Sequence, residues 1–198
     1  MGKDESHLLG DKPLDEIEML DLKGDLILAI GRRHLVVSSK VLTLSCPFFQ
    51  TMLQSNAFVE GVDQPNANDP PIKEIREDHP DTFSLICRVL HYLPVDPPES
   101  IDDYRHLADL CDFYGCAKAL SFHVRAWMDQ WKLTIRSAPE LQTLIWVAFV
   151  FGLHNLFPDI SFQLALAMAP EEWDDWEVHP MPARLKGTPP TRKVFPKQ

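Results

Sequence analysis

The segment Leu26-Ile27-Leu28-Ala29-Ile30 is an unbroken apolar run closed by Gly31, and Leu35-Val36-Val37 follows just beyond the basic tripeptide Arg32-Arg33-His34. A short apolar run bounded by a turn former reads as a strand buried on both faces, and two such runs this close together read as a β-hairpin. Periodicity alone does not separate a short apolar run from a buried helical segment, so a helical 26–30 is the competing expectation.

Downstream the hydrophobic period changes from strand-like to helical. Ser38 offers an N-cap to a short helix carrying Val41, Leu42 and Leu44, and Pro47 fits the first position of a second helix bearing Phe48, Phe49, Met52 and Leu53. Residues 61–71 combine turn formers with almost no apolar content and are expected to be a mobile loop, with a short strand at Ile72 to Ile75 beyond it. Pro80 opens a helix in which Phe83, Ile86, Leu90 and Leu93 recur at helical spacing until Pro94 stops it. After the break Pro94 to Pro98, Ser100-Ile-Asp-Asp103 resembles a capping box for a helix with Leu107, Leu110, Cys111 and Tyr114 on one face and Gly115 as its stop. Leu120, Val124, Trp127 and Trp131 place the next helix at about Ala117 to Lys132. Ser137-Ala-Pro139 starts a helix through Leu153, apolar nearly all round from Leu144, and Pro158 opens a last one with Ile160, Phe162, Leu164 and Leu166. Helices without a polar face must be buried or meet a partner.

The two ends differ from this core. Residues 1–24 carry only an Ile17, Leu20 and Leu22 patch, enough to dock one strand or turn. The tail is acidic at Glu171, Glu172, Asp174, Asp175 and Glu177, then basic from Arg184 to Lys197, and its prolines predict an extended, largely unfolded segment. Its basic residues are too dilute for a nuclear-import cluster, whereas Trp173 and Trp176 suit either an aromatic docking patch or a cap on the core. With 29 acidic against 19 basic residues, the net charge is -10, which argues against an extended phosphate-binding face and so against nucleic acid. The longest apolar stretch, Leu144 to Leu153, falls short of the roughly 20 residues that span a bilayer. The first residues lack a basic-then-apolar leader pattern, so an intracellular protein, cytoplasmic or nuclear, is expected.

Four sequence blocks carry a family resemblance: Gly24-Asp-Leu-Ile-Leu-Ala-Ile30, Val41-Leu-Thr-Leu-Ser-Cys-Pro-Phe-Phe-Gln-Thr-Met-Leu53, Phe58-Val-Glu-Gly61, and Tyr104-Arg-His-Leu-Ala-Asp-Leu-Cys-Asp-Phe-Tyr-Gly-Cys116. In this order they resemble the BTB/POZ domain, most closely its fungal members. The resemblance covers residues 24–132 and implies an α+β fold: a small, mainly three-stranded sheet flanked by helices. A flexible segment at 1–23, a helical extension at 133–169 and a Pro-rich, largely disordered tail at 170–198 complete the organisation. It further implies homo- or hetero-oligomerisation and partner recruitment, with no catalysis and no cofactor. Its candidate partner-binding residues are Asp25, Ser38 and Lys40, near the dimer seam and partner groove of the family, together with Phe49, Phe58 and Glu60. Phe58-Val-Glu60 resembles the hydrophobic-x-Glu motif with which some members bind a cullin scaffold, Phe58 as apolar anchor and Glu60 as charged contact. A cullin-binding substrate adaptor of a ubiquitin ligase is therefore the alternative function. Ser38 stands where many members carry a histidine, and residues 1–24 lack the amphipathic helix and strand of strand-exchanging dimers.

Other readings rest on the cysteines. Cys46, Cys87, Cys111 and Cys116 lie in apolar surroundings and are expected to be reduced core thiols. A zinc site using Cys111, Cys116, His106 or His91 lacks a paired C-x-x-C knuckle. A thiol enzyme would use Cys87 with His91 or Cys111 with His106, pairs spaced to share a helix face, but the sequence supplies no third, orienting group. No glycine-rich phosphate-cradling motif occurs.

Overall fold

The computed structural model describes residues 16–54, 65–76, 79–130 and 137–167. The apolar run forms β2 (Leu26–Ile30) and pairs antiparallel with β3 (Arg33–Val37), Ile30 opposite Arg33, so the loop is only Gly31 and Arg32. Gly31 has φ 59° and Arg32 a negative φ, the sign pattern of a type II′ turn, which matches the twist of a two-residue hairpin. The strand therefore begins inside the basic tripeptide. β4 (Ile72–Glu74) lies parallel to β2 on its other side, and a fourth strand, β1 (Glu16–Met19), lies parallel to β3. The sheet order is β1-β3-β2-β4, four strands where three were expected.

β1 belongs to a stretch read from sequence as flexible. Its apolar residues, Ile17 and Met19, alternate with Glu16 and Glu18 and point away from the helices, so no buried run announces it. It is held by the backbone ladder, by buried Leu20, and by Glu18, which accepts from Ser84 Oγ and pairs with Arg88.

Nor is the hairpin buried on both faces. The register places Leu26, Leu28, Ile30, Leu35 and Val37 on the face toward the helices, where all are buried. On the opposite face, Met19, Val36, Ile27 and Ile72 line up across the four strands as one apolar row, with Met19 and Ile72 exposed.

The described residues also form seven helices: α1 (Ser39–Ser45), α2 (Pro47–Gln54), α3 (Pro80–Leu90), α4 (Ile101–Tyr114), α5 (Ala117–Gln130), α6 (Ala138–Val150) and α7 (Phe157–Ala167). Starts follow local chemistry. Ser38 caps α1, and Pro47 and Pro80 stand at first positions, where a missing N–H costs nothing. Reciprocal Ser–carboxylate boxes open α4 (Ser100, Asp103) and α6 (Ser137, Glu140).

Three helices end in the same way. At α3, α4 and α6 a residue with positive φ (Tyr92, Gly115, Gly152) is followed by an apolar one (Leu93, Cys116, Leu153) whose N–H returns to a carbonyl five residues back. The positive-φ residue's own N–H returns to a carbonyl three residues back, and the two bonds together are the Schellman arrangement. It ends α3 at Leu90, so Leu93 and Pro94 lie beyond the helix they were expected to complete. At Gly115 the Pro47 ring lies 3.2 Å from where a Cβ would stand, which brings the α1–α2 corner against the α4–α5 corner.

Above the sheet, Phe48, Phe49, Phe83 and Tyr114 form an aromatic knot with centroid separations of 5.0 to 6.4 Å, Phe49 stacking on Tyr114. α6 packs on α4, where the Trp146 indole N–H donates to Asp109 at 2.8 Å, and α7 packs on α6. The all-round apolarity of α6 is thus largely absorbed, with Leu144, Trp146, Val147 and Ala148 buried and Phe149 exposed.

Two substitutions at helix ends should have opposite signs. Gly115→Ala forces a Cβ onto left-handed backbone and onto Pro47, and should cost about 1–2 kcal/mol. Tyr92 is 94% exposed with φ 58°, so Tyr92→Asn loses no packing and should gain about 0.5 kcal/mol. Urea unfolding of both variants measures this.

Candidate partner-binding surface

Asp25 directly precedes β2. Its N–H donates to Val37 O at 3.1 Å and its carbonyl accepts from Asn66 N–H at 2.9 Å, tying the strand start to the segment before β4. Its carboxylate accepts from Ser39 N–H at 2.7 Å and from Ser39 Oγ–H at 2.8 Å. A negative charge at the first turn of α1 also suits the helix dipole. Ser38 accepts at Oγ from Val41 N–H and donates its own N–H to His91 Nε2 at 3.0 Å. His91 Nδ1 lies 2.7 Å from Cys87 O. A carbonyl only accepts, so the proton is on Nδ1 and Nε2 offers its lone pair.

Ser38 is therefore joined to the end of α3, and Asp25 to the neighbouring Ser39 at the start of α1. Lys40 is exposed. Phe49 is not on a surface: it is 2% exposed within the aromatic knot. Phe58 and Glu60 lie outside the described residues. His91 was legible as a possible partner of Cys87 or as a candidate zinc ligand; no local signal connects it to Ser38, 53 positions away.

All four cysteines are free and buried. Cys46 caps the end of α1 and Cys116 follows Gly115, so the contact between the two helix corners gathers their thiols with that of Cys111. Hydrogen bonds from the Cys111 and Cys46 thiols draw Cys116 below its ordinary range, against burial. Giving such a bond, together with burial, holds Cys46 up, while burial first of all raises Cys111 and Cys87. Neither proposed thiol–imidazole pair has formed. Both His91 nitrogens are committed to backbone groups, and His106 stacks on His79 with a centroid separation of 3.6 Å. Among the described residues, no three His, Cys, Asp or Glu side chains are placed to hold a metal ion.

Sequence reasoning missed a groove on the surface. Between β1, α3 and residues 94–96 opens a groove of about 530 Å³. Along it, Arg33 bridges Glu16 at 3.4 Å and Asp81 at 2.8 Å, while Arg88 joins Glu18 and donates to Pro94 O. Asp96 also lines it, so four carboxylates face two guanidinium groups. Ile17 and Met19, on the other face of β1, are 70% and 56% exposed. The signal that pointed here was the alternating Glu-Ile-Glu-Met, which is short and carries half its residues as charge.

No helix among the described residues is long and apolar enough to cross a membrane. No protein-family model and no curated protein matches the chain.

Two measurements follow from this geometry. Asp25→Ala strips two acceptors from a half-buried helix start and should cost about 2–3 kcal/mol in urea unfolding, whereas Lys40→Ala at an exposed site should stay within about 0.5 kcal/mol. An aromatic disulfide reagent should modify none of the four thiols at the unfolded-chain rate until denaturant is added; rapid loss of one thiol in the native protein would show an opening at the Cys116 cluster.

Proposed function

We propose that this chain is a non-catalytic protein-interaction module of the BTB/POZ type, acting through oligomerisation and partner recruitment. One observation carries the reading: the order and packing of β2, β3, α1, α2, β4 and the following helices. A hairpin leads through a tight helix pair to a short parallel strand on the far side of β2, and one face of this sheet is sealed by α-helices. This order is consistent with the α+β fold of a small sheet flanked by helices that the resemblance implies, with β1 as an additional strand. It leaves a sheet edge, an apolar sheet row and the helical extension α6–α7 as surfaces for other proteins. Exposed aromatic and aliphatic side chains on the extension, Phe149, Phe162 and Leu166, add to the apolar area offered.

Light scattering across a concentration series, repeated with an equimolar cullin N-terminal domain, tests the reading. A concentration-dependent dimer that ignores the cullin is the expected result for an oligomerising module. A stoichiometric cullin complex that is lost in Glu60→Lys would make the chain an adaptor. A strict monomer in both runs would remove oligomerisation from the proposal.

A further inference from the structure

β1 is an edge strand: its only partner among the described residues is β3. Glu16 directs its N–H to Arg32 O, just before β3, and Leu20 directs its N–H to Val36 O on β3. Strand alternation therefore turns the N–H and C=O of Ile17 and Met19 outward, away from β3. The two faces beside that edge differ chemically. One is the groove, with Glu16, Glu18, Asp81 and Asp96 against Arg33 and Arg88, a formal excess of two negative charges. The other presents exposed Ile17 and Met19, continuous with the apolar sheet row.

We propose that the β1 edge binds an extended segment of a partner protein by strand addition, and that this segment alternates basic and apolar residues. This rests on the reading of the chain as a partner-recruiting module and assigns it a surface and a ligand chemistry. The alternation follows from geometry. A strand hydrogen-bonded to Ile17 and Met19 sends every second side chain toward the groove, where Asp81 and Asp96 favour Lys or Arg. The remaining side chains lie beside Ile17 and Met19, where an aliphatic residue removes apolar surface from water. Arg33 is shared between Glu16 and Asp81, so an incoming cation meets carboxylates that a single guanidinium leaves partly neutralised. A second copy of β1 is a poor occupant, since its groove-side residues are Glu16 and Glu18 and would bring carboxylates against carboxylates.

The test uses the full chain and a fluorescein-labelled peptide, Lys-Val-Arg-Val-Lys-Val, capped at both ends and followed by anisotropy. Binding is expected, weakening as salt rises. Ile17→Pro removes one outward N–H while sparing the β1–β3 ladder, because Ile17 donates nothing to β3, and should weaken binding about tenfold. Asp81→Lys/Asp96→Lys should do the same through charge. Asp129→Lys/Asp159→Lys makes the same charge change outside the groove and should alter binding by no more than about twofold. No binding by the wild-type chain, equal binding of the peptide with Glu in place of Lys and Arg, or equal loss in the two double variants would overturn the proposal. Light scattering separates this from the broader reading. A chain that self-associates yet ignores the peptide keeps the module and loses this surface, and one that does neither loses both.

Discussion

The backbone of Ser38 and Ser39 is where three parts of the molecule are fastened together. β3 ends there and α1 begins, the Asp25 carboxylate arrives from the start of β2, and the His91 imidazole arrives from the end of α3. The amides involved are at a helix start, where they have no intrahelical partner, so each outside acceptor satisfies a donor that would otherwise be stranded. Orientation of the whole helical layer follows. With α1 fixed at its first turn and α3 at its last, the rings of Phe48 and Phe49 on α2 and Phe83 on α3 meet around Tyr114.

The second fastening is at the opposite end of α1. Cys46 and Pro47 turn the chain into α2 at the point where Gly115 and Cys116 turn it from α4 into α5, and the two corners touch. A Cβ at Gly115 would stand 3.2 Å from the Pro47 ring on left-handed backbone, so a side chain there is strained, and small, polarizable thiols fill the space between the corners. The thiols are thus explained as packing atoms. Their mutual hydrogen bonds satisfy weak donors in a place that water does not reach.

One face of the sheet is consumed by this construction and the other is not. Strands of a sheet enclosed on both sides would carry no exposed apolar row, yet Met19 and Ile72 stand open on either side of Val36 and Ile27. Beside them, the β1 edge has outward backbone groups and an acidic groove. An exposed sheet edge is a hazard for aggregation, and the charges of Glu16, Glu18 and Asp81 along it limit non-selective pairing while admitting a strand of the opposite sign.

Local chemistry determined much of this chain. The apolar runs on either side of Gly31 specify the hairpin, Ser100 and Ser137 with their carboxylates specify helix starts, Pro47 and Pro80 stand where a missing N–H is harmless, and Gly115 marks a stop. Each of these acts within a few residues, which is why each is readable in sequence. Tertiary structure alone decided the rest. β1 exists because Ser84 and Arg88, 66 and 70 positions away from Glu18, supply its anchors. Phe49 is core because Tyr114 and Phe83 come to meet it, although nothing in Pro-Phe-Phe distinguishes an inward ring from an outward one. α3 stops at Leu90, before its proline, because the chain reverses through Tyr92 in a conformation that Tyr rarely adopts. The groove depends on all of these together, since it is bounded by elements whose contact no local pattern encodes.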